Sequence, residues 1–141
     1  MADIYRKMAG YSGTPLARKL GLTKETRLLL FHAPAGYMDW LQPDGPPTAC
    51  TTHSLPDVVH IFVEKKVELK KFLFHLQPVF DRNPKLVLWI SWYKKAARMP
   101  TDITEDIIRE LALPMGLVDT KVCAVNELWS GLKLVRRLAN R

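Results

Sequence analysis

Three short apolar runs, separated by helical or turn-rich segments, constrain the fold of this chain more than any other feature of its sequence. They fall at residues 26–32, 57–63 and 86–92. Each run has the length of a strand, and nearly continuous apolar character is typical of a strand that is covered on both faces. The runs therefore predict the central strands of a sheet buried between two layers.

Two amphipathic helices follow the second and third runs. Apolar residues recur at three-to-four spacing from Val67 to Phe80, with lysines mostly on the other side, so we expect a helix that packs on the sheet and that Pro78 closes. After the third run, Asp102 followed by Glu105 resembles a capping box and predicts the start of a second helix.

Shorter helical segments are expected on either side of the first run. Thr14 is a good N-cap and Pro15 suits the first helical position. A helix of one to two turns should therefore extend from Pro15 to Leu20 and end at Gly21, which tolerates the left-handed conformation. Residues 37–41 could form a further turn of helix.

The rest of the chain consists of irregular segments and two final strands. Residues 1–13 are turn-prone, and the proline-rich stretch 42–56 is the principal irregular connection. Residues 118–125 and 132–137 have strand character and are joined by residues 126–131, so they are close enough to pair antiparallel.

This order of elements predicts a single α/β domain over residues 1–141. We expect a small Rossmann-like, three-layer domain with right-handed crossovers and a mostly parallel five-stranded sheet, in which one strand near the C-terminus is antiparallel. A helix followed by a terminal antiparallel pair is similar to the second half of class I S-adenosylmethionine-dependent methyltransferases. That similarity implies the spatial strand order first, second, third, fifth, fourth, as if two strands of the larger fold were left out.

Several longer sequence strings are also distinctive. They are Gly10-Tyr11-Ser12-Gly13-Thr14-Pro15-Leu16, Ala33-Pro34, Asp57-Val58-Val59-His60, Trp89-Ile90-Ser91-Trp92-Tyr93-Lys94-Lys95, Thr101-Asp102-Ile103-Thr104-Glu105-Asp106, Lys121-Val122-Cys123-Ala124-Val125 and Trp129-Ser130-Gly131-Leu132-Lys133-Leu134-Val135. Together they resemble the DUF3052 family of small bacterial proteins of unknown function, over almost the whole chain. The family more often has proline where this chain has Tyr93. The resemblance supports an intact fold and implies no chemistry.

The composition of the chain indicates in which cellular compartment we expect the protein. The 141 residues include no apolar run near the ~18 residues of a membrane span, and the N-terminus lacks the apolar region of a secretory signal. We therefore expect a cytoplasmic protein that does not enter membranes. Cys50 and Cys123 stand far apart and outside any CxxC pair, so neither a disulfide nor a metal site is predicted.

The candidate ligand residues follow from the expected sheet. In an open α/β sheet, ligands lie beyond the carboxyl ends of the strands, which here are residues 32–37, 64–66 and 92–98. His32 ends the first strand and could donate to or accept from a ligand. The other predicted ligand-binding residues, an aromatic and three cations, are Trp92, Lys94, Lys95 and Arg98. A structural histidine and a solvated basic surface are the alternative interpretations of these residues.

Other features weaken a catalytic or cofactor-binding role. The loop His-Ala-Pro-Ala-Gly after the first strand has no glycine-rich phosphate turn, and its proline removes a backbone donor. No catalytic residues and no cofactor are predicted, because no nucleophile–base, paired-carboxylate or metalloprotease arrangement can be proposed from spacing. Trp129 could reach the same end of the sheet if its connection folds back, or it could simply fill the core.

Three functional hypotheses therefore remain open. The first is a non-catalytic binding domain for an anionic small molecule or a protein partner at the strand ends. The alternative is a reduced S-adenosylmethionine-dependent methyltransferase-like enzyme. The third, from a net charge of +7, is nucleic-acid binding through the two basic ends of the chain. The basic residues of those ends are Arg6, Lys7, Arg18, Lys19, Lys24, Arg27, Lys133, Arg136, Arg137 and Arg141.

Overall fold

The computed structural model describes residues 13–51 and 53–137, which form five strands and four α-helices. Most of the predicted irregular segment 1–13 lies outside the described residues. The strands are β1 (Leu28–Phe31), β2 (Val58–Phe62), β3 (Val87–Tyr93), β4 (Leu117–Ala124) and β5 (Trp129–Arg136). The helices are α1 (Leu16–Leu20), α2 (Tyr37–Trp40), α3 (Lys66–Arg82) and α4 (Glu105–Ala112), with short 3-10 turns at Lys95–Ala97 and Leu113–Met115.

The sheet has the strand order β1-β2-β3-β5-β4, which confirms the order expected from the sequence. It is mixed, however, and the expectation of a mostly parallel sheet is wrong. The β1–β2 and β2–β3 pairs are parallel, whereas the β3–β5 and β4–β5 pairs are antiparallel. The reason is the position of β5, which lies between β3 and β4 and is antiparallel to both neighbours.

Helices cover both faces of the sheet, as the three-layer prediction required. One apolar cluster joins the buried side of α3 and α4 to the sheet, and we call this side the α3–α4 face. A second cluster joins α1 and the start of α2 to the opposite side, the α1–α2 face. Because side chains alternate along a strand, β3 directs Trp92 to the α3–α4 face and Trp89 to the α1–α2 face.

Helix α3 does not end where its proline predicts. It continues through Pro78 to Arg82, so the expectation that Pro78 closes it is wrong. A proline leaves the carbonyl four residues earlier without its helical partner. That carbonyl belongs to Phe74, which is 72% exposed, so the missing hydrogen bond lies on the solvent side of the helix and not in the core.

The two shorter amphipathic segments begin at slightly different residues from those predicted. Helix α4 starts after Thr104, whose hydroxyl accepts a hydrogen bond from the Ile107 N–H at 3.2 Å, so Asp102 is not its cap. Helix α1 starts at Leu16 rather than Pro15 and ends, as expected, at Gly21 in the left-handed conformation (φ 73°).

The proline-rich connection passes around the open edge of the sheet. It leaves α2 on the α1–α2 face, and its Cys50 N–H then donates to the Leu28 carbonyl of β1 at 2.6 Å. The Cys50 side chain already packs against the cluster of the opposite face. The connection therefore contacts the amino end of β1, which is an edge strand. No helix within the described ranges is long and apolar enough to cross a membrane.

Candidate functional site

A crevice is expected where the connections of two neighbouring parallel strands leave toward opposite faces of the sheet. The pair β1 and β2 meets this condition. The chain leaves β1 into α2 on the α1–α2 face, and it leaves β2 into α3 on the other face. We refer to this place, bordered by residues 32–36 and 63–66, as the β1–β2 crevice.

His32 stands at the border of the crevice, directly after β1. Its backbone is left-handed (φ 58°), a conformation that histidine adopts more readily than most side chains but that still costs free energy. The side chain is 58% exposed, and its Nδ1 lies 4.0 Å from Glu68 Oε2. The ring edge contacts Phe72, with centroids 5.2 Å apart. The imidazole is thus oriented by α3 while remaining open to solvent.

Glu64 borders the crevice on the β2 side. Its carbonyl accepts a hydrogen bond from the Thr101 hydroxyl at 2.6 Å, and its N–H donates to Glu68 Oε1 at 3.1 Å. The Glu64 side chain is exposed. Burial first, and then the charge of Glu64, raise the pKa of Tyr93 at the end of β3. Glu64 and Tyr93 therefore border the same end of the sheet, at the carboxyl ends of β2 and β3.

The N-terminus of α3 is occupied by the chain's own carboxylates. Asp102 Oδ1 accepts the Lys66 N–H at 2.6 Å, and Glu68 Oε1 accepts the Lys65 N–H at 3.1 Å. Backbone N–H groups at a helix start are the usual donors to a bound phosphate. Because these donors are already taken, a ligand anion at this helix would have to displace Asp102.

The residues predicted to bind a ligand after β3 do not all lie together. Trp92 is only 8% exposed and packs in the α3–α4 core. Lys94 is half-buried, and its N–H donates to the Leu128 carbonyl at 2.8 Å. Lys95 and Arg98 are exposed, and Arg98 is left-handed (φ 54°). The three cations share one loop, while His32 lies two strands away, a separation of about 10 Å at ordinary strand spacing.

Three aromatic side chains pack together on the α1–α2 face at the carboxyl ends of β2 and β3. Trp129 stacks on Tyr93 with centroids 4.0 Å apart and contacts Phe62 edge-on at 5.0 Å. The β4–β5 turn does return to this end, because Trp129 pairs with Tyr93 at the end of β3. Trp129 is itself 7% exposed, so it fills the core beneath the partly exposed Tyr93.

A chain of hydrogen bonds lies beneath the loop after β1. Tyr37 Oη lies 2.6 Å from His60 Nδ1, and His60 Nε2 lies 2.7 Å from Ser91 Oγ. All three side chains are buried. Burial lowers the pKa of His60 to about 3 and raises the pKa of Tyr37, so both groups are neutral. Sequence reasoning missed this chain, although two polar residues in adjacent buried strands must find partners.

Two cavities are present elsewhere. One of about 240 Å³ lies at the amino end of β1, between Arg27 and Pro46, and another of about 190 Å³ lies between α3 and the turn that follows α4. Neither is at the carboxyl ends of the strands. Among the residues with described positions, no three histidine, cysteine or carboxylate side chains come together as a metal ion would require.

Two of the basic residues near the ends of the chain, Lys19 and Arg136, are engaged on opposite faces. Lys19 lies on the buried side of α1, with its Nζ 3.4 Å from the Ala124 carbonyl. The Arg136 guanidinium donates to the Phe80 carbonyl at 3.3 Å and to Asp81 at 2.9 Å, on the α3 side. These two residues therefore do not contribute to a shared basic face.

Comparisons with known proteins support the fold. No protein-family model matches the chain, and no curated protein matches it by sequence. A solved S-adenosylmethionine-dependent methyltransferase from Aquifex aeolicus is similar, with a TM-score of 0.50, 12% identity, and coverage of 84% of this chain and 86% of that one. A protein of the NADB-Rossmann superfamily from Streptococcus agalactiae matches with a TM-score of 0.47 and 10% identity, over 87% and 68% of the two chains.

The B. subtilis M1A22 tRNA methyltransferase TrmK gives a TM-score of 0.48 and 8% identity, over 88% of this chain and 66% of that one. Identities this low show a fold and nothing finer. Together with the strand order, the likeness to the Aquifex structure shows the fold of this chain. It is a Rossmann-like α/β domain with a mixed five-stranded sheet.

Proposed function

We propose that this protein binds an S-adenosyl ligand in the β1–β2 crevice and is a reduced domain of the methyltransferase type. The observation that carries the proposal is the divergence of the connections after β1 and β2, in a sheet where the antiparallel β5 lies between β3 and β4. The Rossmann-like neighbour from Aquifex, which is described as S-adenosylmethionine-dependent, is consistent with it.

The side chains around the crevice fit the charges of such a ligand. S-adenosylmethionine carries a positive sulfonium and an ammonium group, which the carboxylate of Glu64 would attract. An aromatic ring such as that of Tyr93 also favours a cationic centre over its face. His32 can donate to a carboxylate or exchange a hydrogen bond with a ribose hydroxyl. Bound S-adenosylmethionine would supply an electrophilic methyl group.

The glycine-rich loop that usually follows the first strand in Rossmann-like ligand sites is missing here. The loop after β1 has a single glycine, Gly36, at the start of α2 with φ 86°. It therefore cannot offer the closely spaced glycine backbone on which related sites depend. We infer that side chains contribute more of the binding free energy here than backbone N–H groups do.

A second candidate function is the binding of an anionic small molecule by the loop after β3. Lys94, Lys95 and Arg98 share that loop, and none of the ion pairs within residues 13–51 and 53–137 uses these three side chains. A cluster of unpaired cations is suited to a phosphate or a carboxylate. This ligand would lie beyond β3 rather than in the crevice.

Calorimetric titration with S-adenosylmethionine, S-adenosylhomocysteine and AMP separates the two candidates. The two S-adenosyl compounds differ in the sulfonium charge, so we expect Glu64→Gln to weaken binding of the cation more than binding of the neutral thioether. Glu110→Gln, an exposed change on α4, is the matched control and should leave both affinities unchanged. The double variant Lys95→Ala/Arg98→Ala should also bind normally.

Absence of S-adenosylmethionine and S-adenosylhomocysteine binding to the unmodified protein would overturn the proposal. Binding of AMP that is lost in the Lys95→Ala/Arg98→Ala variant, and that weakens steeply with salt, would instead establish the second candidate.

A further inference from the structure

We propose that the buried chain Tyr37–His60–Ser91 is a positioning device that holds the loop of residues 32–36 against the β1–β2 crevice, in place of a glycine-rich turn. The ligand part of this inference rests on the proposed function. The effect on the loop does not depend on it.

The three residues join three elements that border or support the crevice. Tyr37 is the first residue of α2 and directly follows the loop, His60 lies in the middle of β2, and Ser91 lies in β3. The two hydrogen bonds, at 2.6 and 2.7 Å, connect the end of the loop to the two central strands. The exposed fractions are 2% for Tyr37 and 0% for His60 and Ser91, so water does not compete for these bonds.

Helix α2 needs such an anchor because it is very short. It contains four residues, whereas isolated helices below roughly 12–15 residues are only marginally stable in water. Its N-cap residue, Gly36, has no side chain that could cap the helix. The path of the chain after β1 must therefore be determined by tertiary contacts, and the Tyr37 hydroxyl makes the most directional of these.

The imidazole of His60 is held in one orientation by its neighbours. It stacks on Phe62 with centroids 4.4 Å apart and meets the edge of Tyr37 at 5.2 Å. A neutral imidazole donates through one nitrogen and accepts through the other, so the hydrogen bonds run in a single direction along the chain. A phenylalanine at position 37 would keep the ring contacts and lose only this directional connection.

Hydrogen exchange of the backbone amides, with no ligand present, tests the positioning role. In Tyr37→Phe we expect the peptide covering residues 33–41 to exchange about tenfold faster, the factor that corresponds to losing about 1.4 kcal/mol of net hydrogen bonding. The matched control is Asn83→Ala, which removes a partly buried side-chain bond at the other end of the sheet, from Asn83 Nδ2 to the Pro56 carbonyl at 3.0 Å. That bond anchors the end of α3, so exchange of residues 33–41 should not change in the control.

Unchanged exchange in Tyr37→Phe, or an equal increase in Asn83→Ala, would overturn the positioning role. Ser91→Ala breaks the far end of the chain with a smaller structural change. It provides the same test, with a weaker effect on the same peptide, if Tyr37→Phe fails to fold.

The affinity for S-adenosylhomocysteine, titrated into the same variants, tests the link to the crevice. We expect Tyr37→Phe to weaken binding about tenfold and Asn83→Ala to leave it unchanged. If the unmodified protein does not bind the compound but Tyr37→Phe still loosens the loop, the proposed function fails and the positioning role stands. If both variants bind as the unmodified protein does, the loop is not positioned for this ligand.

Discussion

The buried imidazole of His60 should make the protein lose stability steadily as the pH falls below about 6.5. Burial lowers the pKa of His60 to about 3 in the folded state, whereas an unfolded histidine has a pKa near 6.5. Between these two values the unfolded chain binds a proton that the folded protein does not. The contribution to stability is therefore complete above pH 6.5 and is lost as the pH falls toward 3.

The size of this loss follows from the two pKa values of His60. Each unit of difference in pKa is worth about 1.36 kcal/mol. Linkage then gives a decrease in the free energy of unfolding of about 1 kcal/mol between pH 6 and pH 5, and about 2–3 kcal/mol between pH 6 and pH 4. A typical domain has a total stability of about 5–15 kcal/mol, so this single residue should account for much of the acid sensitivity.

Urea unfolding at pH 6, 5 and 4 measures the effect directly. We expect His60→Gln, which can still bridge two hydroxyls, to remove most of the slope of stability against pH. The control His75→Gln changes an exposed histidine on α3 and should keep the slope. A flat profile for the unmodified protein, or the same slope in His60→Gln, would refute the reasoning. If His60→Gln does not fold, ring-carbon chemical shifts of the unmodified protein should still report a neutral His60 at pH 4.5.

Three further variants test the packing and the caps by urea unfolding. Gly131→Ala should cost about 1–3 kcal/mol, because a Cβ there would lie 3.3 Å from the buried ring of Trp89; equal or higher stability would contradict this. Asp102→Ala should cost about 1 kcal/mol through loss of the cap on the first turn of α3, and no change would mean that the carboxylate is not a cap. The hydrogen bonds from Arg27 lower the pKa of Asp57, so the stability that this ion pair contributes is present above pH 4 and is lost in stronger acid. Asp57→Asn should therefore reduce the dependence of stability on pH below pH 4. If the variant shows the same dependence as the unmodified protein, the ion pair does not contribute to stability.

Much of the fold could be predicted because its elements are separated by clear boundaries. The three apolar runs became β1, β2 and β3, and the antiparallel β5 lies inside the sheet as expected. The end of α3 could not be predicted, because the residue pattern alone does not show that a helix can continue through Pro78 when the missing hydrogen bond lies on its solvent side. Local spacing made Asp102 resemble a cap of α4. Its carboxylate instead accepts the N–H of Lys66, which is 36 residues away, and a contact over this distance in sequence cannot be inferred from local spacing.

The candidate site was only partly predictable, for a physical reason. A strand covered on both faces has no apolar–polar alternation, so the run 86–92 does not say toward which layer Trp92 turns. The loops at the strand ends could be located, because the rule for ligand sites depends on topology alone. The buried partners of His60 depend on strand register, which places Ser91 opposite Phe62 and which the sequence does not state.

The proline-rich connection also contacts the edge of the sheet next to the proposed ligand site. Among the residues that the structure describes no strand lies beyond β1, so β1 is an edge strand, and an exposed edge is a site for unwanted pairing. The Cys50 N–H of the proline-rich connection donates to the Leu28 carbonyl at this edge, and the Asp57 carboxylate accepts the Arg27 N–H at 2.9 Å as the chain returns to β2. Both contacts lie at the amino end of β1, away from the carboxyl ends of β1 and β2. The divergence that defines the crevice therefore needs only these two strands and the first residues of α2 and α3.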